Sequence, residues 1–311
     1  MRSLITGADG FIGSYLAEAL AGKGHEVWAL AYTSNPVLEG LGGRIRLVKG
    51  DILDRAALEK LLAEAKPGAV FHLAAQSLPG VSWEKPELTY RVNVLGTVNL
   101  FEAVRAAGLD PVVVVPGSSS EYGPGPDGQP IPETGEIRPS SLYAVSKLAQ
   151  DHIGRLYGEH YGMRVVRARP FYLVGPRKQG DMSSDFARGV VAVERGRAAD
   201  VPVGNLDVVR DLLDVRDGVE AFWCLAERGR PGEVYNICSG HGHSAREVFG
   251  VLAGLARAPV RERVDLARLR PIEEMTKIGD PARLMELGWR PARSIRETLG
   301  DVLEYWRQQE P

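Results

Sequence analysis

The stretch Gly7-Ala8-Asp9-Gly10-Phe11-Ile12-Gly13 decides the fold of this chain. It follows a short apolar run from Arg2 to Thr6 and leads into a helical pattern from Ser14 to Lys23. The first glycine permits a tight turn, the second lets the backbone approach a pyrophosphate, and the third lets the helix pack close to the strand. A second apolar run, Glu26 to Ala31, follows at βαβ spacing. The pattern predicts a dinucleotide-binding turn that holds phosphates at a helix N-terminus. The predicted cofactor-binding residues of this turn are Gly7, Gly10, Phe11, Ile12 and Gly13.

The end of the second predicted strand bears on the choice of dinucleotide. Its sequence, Ala29-Leu30-Ala31-Tyr32-Thr33-Ser34, has no carboxylate to bind the 2′-hydroxyl of the adenosine ribose. This absence favours NADP(H), with NAD(H) left open. Thr33 and Ser34 supply neutral donors only, and an ordinary polar loop is the alternative interpretation.

Strands and helices alternate through the rest of the first half. The predicted strands cover residues 45–49, 69–73, 111–115 and 164–168, and the predicted helices cover 55–64, about 87–107 and 143–161. Several strands are continuous apolar runs, as in parallel strands covered on both faces. We therefore predict an α/β fold, a doubly wound Rossmann-type parallel sheet with a smaller C-terminal α/β substrate region. Residues 1–168 would bind NAD(P), residues 169–311 would bind substrate, and residues 211–240 would return to the first region.

Tyr143-Ala144-Val145-Ser146-Lys147 places a phenol and an ammonium one helical turn apart. Ser140 or Ser141 can cap this helix. A nearby ammonium lowers the pKa of a phenol, and the hydroxyl of Ser118 can polarise a substrate oxygen. Tyr-x-x-x-Lys alone is common on surface helices. Together with the glycine turn, it predicts hydride-transfer chemistry with Ser118, Tyr143 and Lys147 as catalytic residues.

Composition indicates a compact enzyme with small-molecule partners. The chain has 311 residues, 44% of them hydrophobic, and a formal net charge of −2, which argues against non-specific nucleic-acid binding or an electrostatic membrane anchor. No apolar run reaches about 18 residues, and Met1 leads directly into the first strand, so we expect no membrane span, no signal peptide and a cytoplasmic location. Cys224 and Cys238 are expected to be buried thiols. His241-Gly242-His243 is interpreted as a turn rather than a metal site.

The glycine turn, Ser118 and Tyr143-x-x-x-Lys147 together resemble the extended short-chain dehydrogenase/reductase family, which acts mostly on nucleotide-activated sugars. The resemblance covers the whole chain. It implies that Lys147 also contacts the nicotinamide ribose and that Asn93 lies near the active site. The further cofactor-binding residues that it implies are Asp51 and Ile52 near the adenine, and Leu73, Ala74, Ala75, Gln76, Asn93, Tyr143 and Phe171.

Within this family, the chain is most similar to GDP-mannose 4,6-dehydratases and GDP-6-deoxy-4-keto-mannose reductases. The segments Val203 to Asp207 and Arg270 to Glu273 carry much of this similarity. It implies that Arg210 and Arg270 hold the diphosphate, that Asn205 contacts guanine, and that Glu273 accepts from the nucleotide ribose. A guanidinium can grip phosphate oxygens bidentately. The implied substrate-binding residues are completed by Ser119, Ser120 and Tyr172.

Two departures from this pattern bear on the reaction. The dehydratases carry a glutamate where this chain has Ser120, and Glu121 is one position further along. If the segment is extended, neighbouring side chains point to opposite faces, so dehydration is disfavoured. Tyr172 replaces the usual asparagine, which leaves the sugar and the nucleotide open.

The sequence thus predicts an NAD(P)-dependent reductase of a GDP-linked 4-keto-6-deoxyhexose. The alternatives are a GDP-mannose 4,6-dehydratase, a nucleotide-sugar 4-epimerase with tightly held NAD, and a non-catalytic dinucleotide-sensing protein. No metal is expected. In the family, the two helices at 87–107 and 143–161 pair with their copies, which implies a homodimer or a larger even assembly.

Overall fold

A computed structural model describes residues 1–123, 125, 128–269 and 274–309 of the chain. The strands are β1 (Arg2–Thr6), β2 (Glu26–Ala31), β3 (Ile45–Lys49), β4 (Ala69–His72), β5 (Val112–Pro116), β6 (Val165–Pro170), β7 (Tyr172–Val174), β8 (Val201–Val203), β9 (Val209–Asp214), β10 (Val234–Ile237), β11 (Gly242–Ser244), β12 (Glu262–Val264) and β13 (Thr276–Lys277). The α-helices are α1 (Phe11–Gly22), α2 (Pro36–Gly40), α3 (Arg55–Ala65), α4 (Pro79–Glu84), α5 (Pro86–Tyr90), α6 (Gly96–Ala106), α7 (Leu142–Tyr161), α8 (Met182–Glu194), α9 (Val215–Arg228), α10 (Ala245–Gly254), α11 (Ala282–Glu286) and α12 (Ile295–Gln309).

A seven-stranded sheet in the order β10-β6-β5-β4-β1-β2-β3 forms the centre of the molecule. Every neighbouring pair in it is parallel. The chain crosses from β1 to β2 on one side and later fills β4, β5 and β6 on the other, so the strand order reverses at β1. Open sheets of this kind bind ligands outside the carboxyl ends of the strands at the reversal. The predicted doubly wound α/β fold is confirmed.

Alternate residues of the central strands pack into separate apolar layers. Leu4 and Val113 face one layer with α3 and α6, while Ile5 and Val114 face another with α1 and α9. All four side chains are fully buried. Burial on both faces explains why these strands are continuous apolar runs rather than alternating ones.

The second half of the chain builds a smaller region beside this sheet. Strands β7, β9, β11 and β13 form a four-stranded sheet, and α8, α10 and α12 pack around a separate apolar cluster. We propose the division into a dinucleotide-binding region and a substrate region that the sequence indicated. The membership of β10 in the central sheet and the packing of α9 against it support the return of residues 211–240 to the first region.

Three predicted elements differ from the structure. Helix α1 begins at Phe11, not Ser14, because Gly10 already takes the capping position. The helix predicted over about 87–107 is divided into α5 and α6 by a π-helical turn, Arg91–Leu95. The turn predicted at His241 to His243 is wrong in part, since Gly242 and His243 belong to β11, which pairs with β9. In the part of the chain that is described, no helix is long and apolar enough to cross a membrane.

Candidate active site

The glycine turn lies at the carboxyl end of β1 and is shaped by close backbone contacts. Gly7 has a positive φ of 64°, and a Cβ there would lie 2.6 Å from the Ala74 Cα atom. A Cβ on Gly13 would lie 2.2 Å from the Gly7 carbonyl oxygen. Only glycine fits these two positions. No side chain caps α1 at Gly10, so its first amides remain for an anionic ligand.

Asp9 joins this turn to the loop after β2. Its Oδ2 atom accepts hydrogen bonds from the backbone N–H of Thr33 at 2.8 Å and from the Thr33 hydroxyl at 2.6 Å. Asn35 donates to the Asp9 carbonyl oxygen at 2.8 Å. Thr33 and Ser34 are exposed at the end of β2, and their contact with the adenosine stays a prediction. Asp9 was not among the residues predicted from the sequence.

The loop after β4 is held by a chain of buried polar side chains. The Ala74 N–H donates to the Thr6 hydroxyl, and His72 bridges Thr6 and Thr97 at 2.9 Å on each side. Burial, followed by the charge of Lys147, lowers the pKa of His72 to about 3. The imidazole is therefore neutral at physiological pH and serves as a fixed hydrogen-bonding link beneath the predicted cofactor residues.

Asn93 connects this loop to the helix that carries the predicted catalytic pair. Its side chain accepts from the Gln76 N–H at 2.7 Å and donates to the Gln76 carbonyl at 3.0 Å and to Ser146 on α7 at 2.9 Å. Asn93 lies in the π-helical turn and is fully buried. Its amide is engaged by protein groups, so the structure gives it a positioning role; its predicted cofactor contact stays a prediction. π-helical turns often occur at functional sites.

The other predicted cofactor residues line or support the carboxyl edge of the sheet. Asp51 follows β3, and its carboxylate accepts from the Leu53 N–H at 2.9 Å. Ile52 is buried against the position of Gly96 on α6. Phe171 is buried in a small cluster with Tyr122, Ile131 and Cys238, and its predicted cofactor contact stays a prediction.

Helix α7 begins at Leu142, one residue before the predicted catalytic tyrosine. Ser141 caps it by accepting from the Ala144 N–H, while the Tyr143 N–H donates to the buried hydroxyl of Ser82 at 3.1 Å. Of the two predicted caps, Ser141 is therefore the one used. The Ser82 hydroxyl in turn donates to the Pro79 carbonyl at 2.6 Å. These bonds fix the phenol relative to the loop after β4.

Ser118 and Tyr143 meet at the carboxyl end of β5. The Ser118 side chain hydrogen-bonds to the phenol, and its hydroxyl lies 2.5 Å from that of Ser120. Burial raises the pKa of Tyr143 to about 12, and the Ser118 hydrogen bond opposes this rise. The pKa of Tyr143 is thus raised rather than lowered as the sequence predicted, because desolvation of the phenol is the largest effect on it. Tyr143 therefore carries its proton at neutral pH, as a general acid requires.

Lys147 lies one turn further along α7 and is buried, with 3% of its surface exposed. Its ammonium donates to the Gln150 side chain. Burial lowers the pKa of Lys147 to about 8, against the opposing charges of Glu121 and Asp151. The site thus combines a protonated phenol, a hydroxyl and a titratable ammonium.

Glu121 lies in the interior behind the predicted catalytic residues. The segment Ser119–Glu121 is a 3₁₀ turn, so the extended geometry expected from the sequence is wrong. Glu121 is fully buried and accepts from the Ser118 N–H at 2.7 Å. Arg169 Nε lies 2.9 Å from the Glu121 carboxylate. Burial and the Asp151 carboxylate raise the pKa of Glu121.

A buried ion cluster surrounds Glu121 and was not predicted. Asp151 accepts from Arg167 at 2.6 Å and from Arg169 at 2.9 Å. Burial acts to raise the pKa of Asp151, but the two arginines have the larger combined effect, so the pKa of Asp151 is lowered. The one sequence feature that could have indicated this cluster is the position of Asp151, one helical turn after Lys147. That position does not show which arginines pair with Asp151.

Of the predicted substrate residues that are described, Tyr172, Asn205 and Arg210 lie in the smaller region, whereas Ser119 and Ser120 follow β5 of the central sheet. Arg210 on β9 is buried, donates to the carbonyls of Val209 and Met275, and lies 5.5 Å from the Tyr172 ring. Tyr172 acts on the pKa of Tyr143 and so lies near the reactive phenol. Asn205 accepts from the Asp207 N–H at 3.0 Å. Ser119 is buried beside Ser118. Arg270 and Glu273 lie outside the described residues.

The donor set fits a nicotinamide dinucleotide. Gly7 and Gly13 allow the close backbone contacts that shape the turn, and the uncapped start of α1 suits a pyrophosphate. No cluster of three or more His, Cys, Asp or Glu side chains that could hold a metal ion occurs among the described residues.

Comparisons with known proteins agree with this geometry. The family model for GDP-mannose 4,6 dehydratase matches residues 4–302. The chain is 35% identical over 309 residues to a GDP-6-deoxy-D-mannose reductase from Pseudomonas aeruginosa, covering 98% of this chain and 97% of that protein. A solved structure of RMD from Pseudomonas aeruginosa complexed with NADPH superposes with a TM-score of 0.86 at 32% identity, covering 99% and 100% of the two chains. A Thermus thermophilus UDP-glucose 4-epimerase complex with NAD gives a TM-score of 0.89 at 31% identity, covering 99% of each chain.

The sheet, the glycine turn and the Ser118, Tyr143 and Lys147 cluster define an extended short-chain dehydrogenase/reductase, an NAD(P)-dependent oxidoreductase. The chain belongs to the GDP-mannose 4,6-dehydratase family. The resemblance stated from the sequence is confirmed, as is the expectation of a nicotinamide dinucleotide cofactor.

Proposed function

We propose that this protein is an NAD(P)H-dependent reductase of a GDP-linked 4-keto-6-deoxyhexose, of the type that converts GDP-6-deoxy-4-keto-mannose to GDP-rhamnose. One observation carries the choice of reaction. The hydroxyl of Ser120 lies 2.5 Å from the hydroxyl of Ser118, the predicted catalytic serine, whereas Glu121 is fully buried and paired with Arg169. The similarity to the reductase of Pseudomonas aeruginosa supports the choice of substrate.

The chain's own residues supply the proton and stabilise charge at the carbonyl. Tyr143 donates its phenolic proton to the C4 oxygen, because burial keeps that proton bound at neutral pH. Ser118 donates a hydrogen bond to the same oxygen, and the Lys147 ammonium stabilises the phenolate that remains. The reduced nicotinamide, when bound, supplies the hydride that C4 receives. The ketone is reduced to an alcohol as the dinucleotide is oxidised.

Dehydration needs a base that removes the C5 proton after C4 has been oxidised. A serine hydroxyl is too weak a base at neutral pH without a partner that takes its proton. Glu121 would have to leave Arg169 and the Ser118 N–H to reach the sugar. Burial and the Asp151 carboxylate also raise the pKa of Glu121, which favours its protonated form, so Glu121 does not replace the missing base.

The proposed nucleotide contacts lie in the smaller region. Arg210 is proposed to bind the diphosphate through its guanidinium. In the structure two backbone carbonyls and the Tyr172 ring orient this group. Asn205 is proposed to contact guanine, and Tyr172 to donate its hydroxyl to the substrate. By family resemblance, Arg270 is also proposed to bind the diphosphate, and Glu273 is proposed to accept from the nucleotide ribose.

The test supplies purified protein with GDP-6-deoxy-4-keto-mannose and, separately, with GDP-mannose. We expect the keto sugar to consume NADPH or NADH stoichiometrically, with GDP-mannose left unchanged. Conversion of GDP-mannose without net cofactor use would show a dehydratase. Interconversion of UDP-glucose and UDP-galactose would show a 4-epimerase. This activity is a candidate because of the similarity to the Thermus thermophilus UDP-glucose 4-epimerase. Dinucleotide binding without turnover of any of these sugars would indicate a sensing protein.

Variants at Ser120 sharpen this test. Ser120→Glu places a carboxylate beside Ser118, so we expect it to gain slow dehydration of GDP-mannose. Ser120→Ala is the matched control, because it removes the hydroxyl without adding a base. Dehydration by the alanine variant would show that another group removes the C5 proton.

We also propose a homodimer or a larger even assembly. Apolar side chains on α5, the π-helical turn and α7 are exposed, including Leu88 (44%), Leu95 (48%) and Leu156 (50%). Exposed apolar side chains on neighbouring helices suit a two-fold interface. A cytoplasmic location is proposed too, and the two buried, unpaired cysteines, Cys224 and Cys238, suit a reducing compartment.

A further inference from the structure

Asp9 is the one acidic residue of the glycine turn, and the reduction described above does not use it. Its carboxylate accepts both hydrogen bonds that Thr33 donates, at 2.8 and 2.6 Å. Asn35 anchors the Asp9 backbone from the same loop at 2.8 Å. Since Thr33 lies two residues beyond β2, these bonds fix a negative charge at the carboxyl end of that strand.

This end of β2 is where Rossmann proteins bind the adenosine ribose. A carboxylate there normally comes from β2 itself and binds the 2′-hydroxyl. In this chain β2 ends in Ala31, and Asp9 brings a carboxylate to the same place from the turn after β1. The two strands pair in parallel, with Thr6 opposite Leu30, which brings the two loops together.

No cation balances the Asp9 charge in the surrounding loop. Residues 32–43 contain no lysine or arginine, and the first basic side chain, Arg44, donates to the Leu41 carbonyl at 3.4 Å. Among the described residues, the ion pairs do not include Asp9. A 2′-phosphate would therefore meet a fixed carboxylate without a neutralising partner.

We propose that Asp9 is a specificity-determining residue that disfavours a 2′-phosphate and makes this enzyme prefer NAD(H) to NADP(H). A ribose 2′-hydroxyl can donate to the carboxylate, whereas a phosphate is repelled by it. The neutral donors of Thr33, which the sequence offered to a phosphate, are already engaged by Asp9. The preference is opposite to the one indicated by the missing carboxylate of β2. It concerns the cofactor site alone and does not depend on the sugar.

Direct binding of each dinucleotide to the full chain tests this proposal without any sugar. NADH and NADPH are titrated by calorimetry or by quenching of tryptophan fluorescence. We expect NADH to bind about tenfold more tightly than NADPH, or ~1.4 kcal/mol. Asp9→Asn keeps an oxygen that accepts from Thr33 but removes the charge, so the ratio of the two dissociation constants should fall by about tenfold.

Glu39→Gln is the matched control. Glu39 is exposed on α2 in the same loop region, and the substitution removes the same charge without touching Thr33. Its ratio should equal that of the wild type. The wild-type ratio should also fall as salt is added, because salt screens an exposed charge, while the Asp9→Asn ratio should change little.

Tighter binding of NADPH than NADH by the wild type would overturn the proposal. Equal changes in the ratio from Asp9→Asn and Glu39→Gln would overturn it as well. If Asp9→Asn does not fold, the wild-type ratio and its salt dependence decide the question, because both depend on the same charge.

Discussion

Replacement of Lys147 by methionine should separate catalysis from stability. Burial lowers the pKa of Lys147 from 10.5 to about 8. At about 1.4 kcal/mol per pKa unit, the folded protein disfavours this ammonium by ~3 kcal/mol relative to the unfolded chain. Methionine has a similar length and no charge, so Lys147→Met should raise the free energy of unfolding at pH 7 by about 1–3 kcal/mol while abolishing reduction.

The sign of the pH dependence follows from the lowered pKa. Below pH 8 the lysine is protonated in both states and the whole cost is present; above 10.5 it is neutral in both and the cost is gone. Wild-type stability should therefore rise relative to Lys147→Met between these two values. The rate of reduction should fall over the same range, beginning near pH 8, since the ammonium that stabilises the Tyr143 phenolate is lost.

Urea denaturation followed by tryptophan fluorescence measures the stability at each pH, and single-turnover oxidation of the reduced cofactor measures the rate. Lys60→Met is the matched control, because Lys60 is exposed on α3 and its loss should change neither quantity. A Lys147→Met variant that is less stable than the wild type, or a rate that stays constant to pH 10, would refute this account of the buried ammonium.

Three further predictions test the site and its support. Tyr143→Phe removes the proton donor but keeps the ring, so turnover should fall by about 10² or more while dinucleotide binding, measured by titration, is unchanged. Arg169→Met removes one of the two arginines that pair with the buried Asp151 carboxylate, and urea denaturation should show a loss of about 3–5 kcal/mol; a loss below about 1 kcal/mol would contradict the buried ion cluster. Leu95→Glu combined with Leu156→Glu should convert the proposed dimer into a monomer in light scattering, whereas a wild-type monomer at all concentrations would rule out the assembly.

The sequence predicted the central sheet well because its signals are local. Glycine spacing, apolar runs and turn residues mark β1, β2, β4 and β5 to within a residue or two. The π-helical turn at Asn93 could not be predicted in this way. It depends on hydrogen bonds from Asn93 to Gln76 and to Ser146, which are 17 and 53 residues away along the chain.

Contacts that charged side chains make with distant elements could not be predicted from the sequence either. Asp9 and Thr33 are 24 residues apart, and Asp151 and Arg169 are 18 apart. Sequence periodicity does not reveal such pairs, because the packing of separate elements decides which side chains meet. The expected effect of Lys147 on Tyr143 failed for the same reason: burial, which the sequence does not measure, dominates the pKa of the phenol.

Asp9 and Glu121 show when a displaced carboxylate keeps a function and when it does not. Asp9 comes from a different strand than the usual ribose carboxylate, yet parallel pairing of β1 and β2 brings it to the same place. Glu121 is displaced by one residue from the base of the dehydratases. In a 3₁₀ turn one residue rotates a side chain by about 120°, which directs Glu121 away from Ser120 and toward Arg169. The position of a carboxylate in space, not its position in the sequence, decides its chemistry. Asp9 therefore keeps a role at the ribose although it comes from another strand, whereas Glu121 is lost as a base although it is displaced by only one residue.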